Sequence, residues 1–506
     1  MKKITFLLAA VFAALTVSAQ APEAYMLKPA GTFHSGYAAG TTSLTYLSNG
    51  YMHVPGYTDL TFEDYSNNAT SIQWSYPNYG DIFNPTSTST ESSITVNFPA
   101  IRPETINPVK LTATNDEGSA TTTDPKYIRV GGGPMLGSSG TEFPLSNYSP
   151  LYGTGLSYST SYYSLNTAKT VEYWQGKASG ATVNGFGETF FAPASPMALT
   201  GVFVPCRRVS NTISGNVMVE LYKIETSATG MVTKIGEKFA SQTIAGEDVH
   251  TIGTGVACGI KFDKLVGKDG KLLGPITLDF PLMVIFSVSD PTTELCMYYR
   301  PIPNDLGENH CVARMDNGKF YNAGLNWSSG NKTRSFLFGL YASFETIVNT
   351  EGAKESTMDL TETGYDYINL FASQPYSNVD YSALKASADI NWTITQADGS
   401  ALPEWLTLDI VDDIDDGLYN YATCVNVTAE ENLSGESRSC DVVFSFVGSN
   451  KYTLHIVQDA TTTGIDNVKV NKTDANAPVY NTMGQRVNLN EASHGIFIQN
   501  GKKFVK

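Results

Sequence analysis

The sequence has few histidines and cysteines, no short catalytic motif and no long apolar run beyond its N-terminal residues. Its 506 residues include six histidines and six cysteines, and no two cysteines have the CxxC spacing of zinc or redox sites. No HExxH, GxSxG or GK[ST] element occurs, so zinc-protease, serine-hydrolase and phosphate-loop chemistry have no motif here. No apolar run beyond residue 19 approaches the roughly 18 residues of a membrane-spanning helix. These absences favour a non-catalytic protein and leave an enzyme without a motif open.

Positive charge is also scarce. The chain has 33 lysines and arginines against 49 acidic residues, which gives a formal net charge of −16. Nucleic acid and anionic lipid would be repelled by this charge, so neither is expected as a partner.

The cysteines are too few for a disulfide scaffold. Cys424 and Cys440 lie on neighbouring predicted strands, as do Cys296 and Cys311. If bridges form, these two pairs are the expected ones. Buried free thiols are the equal alternative.

The N-terminal residues have the pattern of a secretory signal peptide. Met-Lys-Lys is followed by a mostly apolar run over residues 4–17 and by the small residues Val17 and Ala19. A short positive region, an apolar core and small residues before the cleavage site define such peptides. We predict a signal peptide over residues 1–19 and a protein that is extracellular or on the outer-membrane surface.

Short alternating runs fill the rest of the chain, among them SITVNF, LMVIFSV and CDVVFSF. Clusters of Gly, Pro, Asn, Asp and Ser separate them, a pattern typical of sandwiches and barrels. Helical periodicity is almost absent, and the length indicates several domains. The sequence predicts an all-β chain of tandem Ig-like and jelly-roll-like β-sandwiches with a small C-terminal β unit.

Residues 20–135 form the first predicted sandwich. Trp74 lies on one alternating run, and LTATNDEGS at residues 111–119 follows the pattern of a late strand and turn. These features resemble the PKD family, although WSYPNYG replaces the WDFGDG motif of that family. The resemblance implies an Ig-like fold with a buried Trp74.

Residues 141–345 contain about ten alternating runs, which predict a jelly-roll-like sandwich. Their layout is similar to the middle sandwich modules of secreted Bacteroidetes proteins. Trp327, Trp174, Tyr173 and Tyr298 are the candidate ligand residues here, because an aromatic ring stacks on the apolar face of a sugar. A sandwich core also needs large aromatics, so a core role is the alternative for each.

Residues 346–460 carry a more specific pattern: Trp392, PEWLTL with Trp405, AEEN at residues 429–432, Arg438 and Gln458. This pattern resembles the BACON family of Ig-like modules, which occur in secreted Bacteroidetes proteins. The resemblance implies an Ig fold and a role as a carbohydrate-binding module or as a spacer.

Two further constellations are read as structural. His310 and Cys311 are adjacent, and adjacent strand residues point to opposite faces, so they do not form a nucleophile–base pair. The acidic run at residues 409–417, aligned to a calcium loop by Gly417, places Ile414 at the third position, where it offers no side-chain oxygen. Thr423 then falls at the twelfth position, where the loop needs a bidentate Glu. We predict no cofactor and no metal site, with calcium on this loop as the alternative.

Residues 464–506 predict a small β unit, and Asn500-Gly501 is a strong hairpin signal. The unit resembles the C-terminal sorting domain of the type IX (Por) secretion system. The matching positions include Gly484, Gln485, Gly495, Lys502 and Lys503. The resemblance implies that the secretion machinery is a partner; a plain closing hairpin is the alternative.

These observations predict a secreted or cell-surface modular protein that binds glycans or host surface proteins without catalysis, as an adhesin does. The alternatives are a secreted glycan or peptide hydrolase with its site in residues 141–345, and a purely structural surface component.

Overall fold

The structure of this chain is a computed structural model. It describes residues 20–37, 46–79, 83–99, 104–106, 109–122, 127–131, 135–136, 142–147, 162–164, 168–173, 176–208, 215–227, 232–249, 259–290, 295–298, 300–302, 310–322, 333–360, 364–372, 390–411, 422–461, 476–492, 494–499 and 502–506. Within these residues strands predominate, and the helical element is a 3-10 turn, Gly246–Asp248. No helix in this part of the chain is long and apolar enough to cross a membrane. The prediction of an all-β chain of tandem sandwiches is confirmed.

The N-terminal unit has eleven strands: β1 (Met26–Leu27), β2 (Phe33–Tyr37), β3 (Tyr46–Val54), β4 (Thr58–Asp64), β5 (Ser71–Pro77), β6 (Thr86–Ser89), β7 (Ser93–Phe98), β8 (Glu104–Ile106), β9 (Lys110–Asn115), β10 (Gly118–Thr122) and β11 (Tyr127–Val130). They form three sheets in the orders β1-β4-β7, β10-β9-β5-β6 and β2-β3-β11-β8. Alternate residues of β7 are buried, as its sequence predicts. Trp74 is fully buried and donates from Nε1 to the Glu91 carbonyl at 2.8 Å. An indole in this position fills the core and satisfies its own polar group.

The middle unit has nineteen strands: β12 (Met135–Leu136), β13 (Glu142–Phe143), β14 (Tyr162–Ser164), β15 (Ala168–Tyr173), β16 (Gly176–Phe190), β17 (Met197–Phe203), β18 (Cys206–Arg208), β19 (Asn216–Thr226), β20 (Val232–Ala245), β21 (Gly259–Lys261), β22 (Val266–Gly267), β23 (Ile276–Leu278), β24 (Leu282–Val288), β25 (Leu295–Tyr298), β26 (Arg300–Ile302), β27 (Cys311–Met315), β28 (Phe320–Asn322), β29 (Thr333–Ser335) and β30 (Gly339–Phe344).

The main body of this unit is a large sheet facing a smaller one. The large sheet has the order β15-β28-β27-β16-β24-β19-β20-β22, and the smaller sheet has β21-β17-β23 with β30 also paired to β17. All seven residues of β24 are buried, because Val284 and Phe286 join the main core while Met283 and Ile285 join a second apolar cluster on the opposite face. A strand buried on both faces reads as a continuous apolar run rather than an alternating one.

The third unit is a sandwich of two four-stranded sheets. Its strands are β31 (Ile347–Asn349), β32 (Glu355–Leu360), β33 (Tyr365–Ala372), β34 (Thr393–Gln396), β35 (Leu406–Val411), β36 (Ala422–Ala429), β37 (Arg438–Ser445) and β38 (Tyr452–Gln458). The sheet orders are β31-β33-β36-β35 and β32-β38-β37-β34. Val425, Phe444 and Leu454 are fully buried in the core.

Two turn glycines lie at the contacts between units. Gly31 has a φ of 76°, and its carbonyl accepts from the Ala194 amide at 2.9 Å. A Cβ at Gly31 would lie 2.3 Å from the Ala192 carbonyl oxygen. Gly448 of the third unit has a φ of 81°, and a Cβ there would lie 2.2 Å from the Ala198 nitrogen. Only glycine combines this backbone conformation with such close approach.

The terminal unit is one small sheet. Its strands are β39 (Val479–Asn481), β40 (Arg486–Val487), β41 (Ile496–Gln499) and β42 (Lys502–Val505), in the order β40-β39-β41-β42. Phe497 and Phe504 pack with ring centroids 6.0 Å apart.

The expected disulfides are wrong. Cys311, Cys424 and Cys440 are free thiols, so neither the Cys296–Cys311 nor the Cys424–Cys440 bridge exists in the structure. Cys440 points into the sandwich core, whereas Cys424 alternates with the core residues Val425 and Val427 and therefore points away from it. The free-thiol alternative is the one that the structure contains.

Candidate ligand-binding face

The four aromatic residues predicted as ligand contacts stay predictions. Trp174 and Trp327 lie outside the described residues. For Tyr173 and Tyr298 the structure gives the backbone position: Tyr173 ends β15 opposite Tyr321, and Tyr298 ends β25 opposite Tyr162. These two strands belong to different sheets.

A pair of exposed tyrosines that the sequence analysis did not select lies on β33 of the third unit. Ile368, Leu370 and Ala372 of this strand pack against the core. Tyr365 and Tyr367 alternate with these residues and point outward, with 58% and 54% of their surfaces exposed. Residues two apart on a strand are separated by about 7 Å on the same face. The rings therefore stand side by side on a fixed backbone.

Polar residues on the two neighbouring strands extend this surface. Tyr367 lies opposite Asn426 of β36, which lies opposite Asp409 of β35. The adjacent row contains Tyr365, Thr428 and Thr407 in the same order. The Tyr365 hydroxyl donates to Asn426 Oδ1 at 3.3 Å. We call the surface formed by these six residues the tyrosine face.

The tyrosine face combines apolar rings with mostly uncharged hydrogen-bonding groups. Asp409 supplies its single carboxylate, and the other polar groups are amide or hydroxyl groups. A ring can stack on the apolar face of a pyranose while amide, hydroxyl and carboxylate groups bond the sugar hydroxyls. Glycoside hydrolysis needs a pair of carboxyl groups. The six residues of the tyrosine face include one carboxylate, that of Asp409, and therefore no such pair.

Four of the positions on which the BACON resemblance was based, Trp405, Glu430, Arg438 and Gln458, form one network at the end of the sandwich. The Arg438 guanidinium lies 4.3 Å from the centre of the Trp405 ring, and its Nε donates to Gln458 Oε1 at 2.8 Å. Gln458 Nε2 and Arg438 also donate to the Glu430 carbonyl. Guanidinium stacking and forked donation of this kind require arginine rather than lysine.

This network holds the residue that precedes the tyrosine face. Gly364 has a φ of 66°, and its carbonyl accepts from the Ala429 amide. A Cβ on Gly364 would lie 2.3 Å from the Ala429 carbonyl oxygen and 3.2 Å from Gln458 Nε2. The network therefore fixes the start of β33, from which Tyr365 follows directly.

A buried carboxyl group in the middle unit has the pKa of a catalytic acid but no access to solvent. Burial raises the pKa of Glu188 to about 7, opposed by hydrogen bonds from Ser335, Asn147 and the Phe338 amide. Perturbed pKa values of this size often mark active sites. Glu188, however, is 0% exposed, so no substrate reaches it in this structure.

The other buried carboxyl groups of the middle unit are engaged in structural contacts. Glu220 bonds Arg314 and lies 3.0 Å from Lys238, and Glu345 accepts from the Ser343 hydroxyl at 2.5 Å. Each of these three buried carboxyl groups, Glu188 included, is therefore held by side-chain hydrogen bonds or ion pairs inside the fold.

His310 and Cys311 occupy separate surroundings, as predicted for structural residues. His310 contacts Thr189 Oγ1 at 3.3 Å and the Phe191 ring. Cys311 belongs to the main core, where burial and the nearby Glu188 carboxyl group raise the pKa of its thiol well above the ordinary value. A thiol of this kind is not an activated nucleophile.

The described part of the chain contains no cluster of metal-ligating side chains. No group of three or more His, Cys, Asp or Glu residues there could hold a metal ion. The acidic loop considered for calcium lies at residues 412–421, outside the described residues.

The positions predicted to carry a sorting signal form a tight turn and a hairpin in the terminal unit. Gly484, with a φ of 77°, donates to the Asn481 carbonyl at 3.0 Å, and the Gln485 amide donates to Asn481 Oδ1 at 2.9 Å. Gly495 and Lys506 exchange backbone hydrogen bonds. Lys502 and Lys503 are exposed on the last strand. These residues present a small, ordered, basic chain end.

Comparison with known proteins identifies no family. No protein-family model matches the chain, and no curated protein matches it. Three solved structures match the chain at 7–9% identity. The Dpr2 Ig1–Ig2 structure in complex with DIP-Theta Ig1–Ig3 has 8% identity and a TM-score of 0.14, over 86% of this chain and 99% of that one. The endo-fucoidan hydrolase MfFcnA4 has 7% identity and a TM-score of 0.14, over 80% of this chain and 42% of that one. A bacterial ice-binding adhesin has 9% identity and a TM-score of 0.11, over 81% of this chain and 94% of that one. TM-scores of this size establish no shared arrangement and carry no function to this chain.

Proposed function

We propose that this chain is a secreted, surface-exposed modular protein that binds neutral glycans through the tyrosine face, without catalysis. One observation carries the proposal: Tyr365 and Tyr367 are both more than half exposed on a sheet whose opposite face is a packed core. Because the strand fixes both rings in advance, little conformational entropy is lost when a ligand stacks on them.

Charge favours a neutral ligand. The chain has a formal charge of −16, and one of the carboxylates counted in it, that of Asp409, lies on the tyrosine face. No lysine or arginine lies in its two rows of residues, so an anionic polysaccharide would meet repulsion and no counter-charge. Neutral sugars need only stacking and hydroxyl bonding, both of which the face offers.

The chain ends support the location. The proposed signal peptide at residues 1–19 directs export, and residues 464–506 act as a type IX-like sorting signal recognised by the secretion machinery. The ordered turn at Asn481–Gln485 and the exposed Lys502 and Lys503 supply features that such recognition could use. The protein would then display its tyrosine face on the outer surface or in the medium.

A glycan array, followed by titration calorimetry on its hits, tests the binding role. The chain lacking residues 1–19 is compared with the Tyr365→Ala/Tyr367→Ala double variant. Tyr65→Ala is the matched control, because Tyr65 is 48% exposed in the N-terminal unit. The double variant should lose at least about tenfold in affinity, about 1.4 kcal/mol. Equal affinity of the double variant, or binding of acidic glycans alone, would overturn the proposal. Release of a cleaved product would overturn its non-catalytic part.

A further inference from the structure

A buried histidine without hydrogen-bond partners lies where the N-terminal unit meets the middle unit. His34 of β2 exchanges backbone hydrogen bonds with Ser146 at 2.9 and 2.7 Å. Its side chain is fully buried, and neither ring nitrogen has a hydrogen-bond partner. A neutral imidazole there destabilises the fold, because its buried N–H group has lost its hydrogen bonds to water and has gained none from the protein.

An ammonium group occupies the same junction. Lys28 Nζ donates to the Thr32 carbonyl at 3.0 Å and to the Asn147 carbonyl at 3.4 Å. The charge of Lys28 opposes protonation of His34 and also of His310, which is buried on the middle unit. One cation therefore lies among two buried, uncharged imidazoles that belong to different units.

Three further charged or titratable groups face this site. Glu188 accepts from Asn147 Nδ2 at 3.2 Å, so Asn147 connects the Lys28 ammonium to a buried carboxyl group. His53 of β3 bonds the Ser35 hydroxyl at 2.8 Å and lies near the Arg129 guanidinium. We call Lys28, His34, Asn147, Glu188 and His310 the histidine junction.

We propose that the histidine junction is acid-sensitive, and that protonation of His34 and His310 separates the N-terminal unit from the middle unit. In the closed form, a charged His34 imidazole would be buried near Lys28 with no acceptor for its two N–H groups, and a charged His310 imidazole would have Thr189 as its described hydrogen-bond partner. In the open form, water solvates both imidazolium rings. Acid therefore favours the open form, since an uncompensated buried charge is among the most costly groups in a protein.

The direction of the effect follows from the pKa values of the closed form. Burial and Lys28 hold the pKa of His34 well below 6.5 and that of His310 at about 4. Opened histidines take up protons below pH 6.5, whereas closed His310 stays neutral down to about pH 4 and closed His34 stays neutral well below pH 6.5. The pKa of Glu188 is raised to about 7, so its exposure would release one proton and offset one histidine.

The net uptake on opening is therefore two protons if Glu188 stays buried and one if it becomes exposed. The opening equilibrium constant should rise about tenfold per pH unit for each net proton as the pH falls from about 6.5 to 4.5.

Hydrogen exchange of the full chain, read by mass spectrometry from pH 7.5 to 5.0, tests the proposal. After correction for intrinsic exchange, protection of residues 26–37 and 142–147 should fall at least about tenfold between pH 6.5 and 5.5. The His34→Leu/His310→Gln double variant should lose this dependence. His455→Gln should retain it, because His455 is exposed on β38. Unchanged protection in the wild type, or the same pH dependence in the double variant, overturns the proposal.

A second variant keeps the test decisive if the double variant does not fold. Lys28→Met keeps both histidines and removes the cation that opposes their protonation. Its opening should begin at a higher pH than in the wild type, because each imidazole gains a proton more readily. An unchanged or lower midpoint pH of opening contradicts the role assigned to Lys28. The wild-type measurement tests the acid sensitivity independently of this variant.

Discussion

The third unit and the terminal unit both rest on four-stranded sheets, but among the residues that the structure describes only the third unit has a second sheet to close a core. Its strands bury Val425, Phe444 and Leu454 completely. In the terminal unit, Val479 and Phe497 are the described apolar residues that reach burial, while Ile496 and Val505 are 51% and 77% exposed. An exposed apolar residue therefore has a different meaning in each unit.

In the terminal sheet, exposure follows from size, because so few residues cannot enclose a core. In the third unit, two sheets already enclose a complete core, and the exposed tyrosines lie outside it. An exposed aromatic side chain is therefore a candidate ligand contact only in a unit with a complete core, because small size does not force its exposure there.

Deletion of residues 464–506 should have the largest effect, and it separates the two units by function. Display of the chain on the cell surface, measured by labelling intact cells, should be lost. The unfolding midpoint of the remaining sandwiches should stay unchanged, since the described contacts of the terminal sheet are internal to it. Unchanged display would contradict the sorting role.

The two cores should respond differently to the same truncation. Phe444→Ala removes a fully buried ring that packs on Tyr452 and Trp392, and should lower the free energy of unfolding by about 3–5 kcal/mol. Phe497→Ala should cost about 1.5–3 kcal/mol, the transfer value of a buried Phe side chain, because the terminal sheet has no facing sheet among the described residues and little cavity would remain. Denaturant titration with hydrogen exchange measures both. Equal losses would mean that the terminal sheet has a real core.

Arg438→Ala should affect stability and binding together in the sandwich. It removes the stacking on Trp405 and the bond to Gln458, at a cost of about 1–3 kcal/mol in the free energy of unfolding. Since Gly364 packs on the same network, affinity for a glycan hit should also fall. Arg438→Lys is the control that keeps the charge and lacks the planar fork. If binding survives Arg438→Ala unchanged, the network does not position the tyrosine face.

Asn481→Ala should have the smallest effect, confined to the terminal sheet. The Asn481 side chain accepts from the Met483 and Gln485 amides at 3.0 and 2.9 Å. Its loss should cost the turn about 0.5–1.5 kcal/mol. Exchange rates should rise at residues 481–487 and stay constant on β33. A change on β33 would show that the two units are coupled.

Local alternation was the part of the fold that the sequence could predict. SITVNF buries Ile94, Val96 and Phe98 as a period of two requires, and Trp74 is buried as its position suggested. The tyrosine face carried the same kind of signal. In GYDYINLFA, the apolar Ile368, Leu370 and Ala372 fall on one face and leave both tyrosines on the other, whereas the prediction favoured Trp327 because its segment is rich in Gly, Asn and Ser.

Other features depend on contacts between distant segments and had no local signal. The histidine junction joins His34 to His310 across two units, and nothing around either residue indicates that both become buried beside Lys28. The disulfide prediction treated Cys424 and Cys440 as neighbours along the chain. Their separation comes from the side of the sheet to which each points, which depends on the register of two different sheets.

The glycine at the contact between the third and middle units has a steric consequence. Gly448 lies directly against the backbone of Ala198, and its amide donates to the Thr277 hydroxyl at 2.9 Å. Because no side chain separates the two backbones there, any side chain introduced at position 448 would push the third unit away from the middle unit and break the hydrogen bond to Thr277.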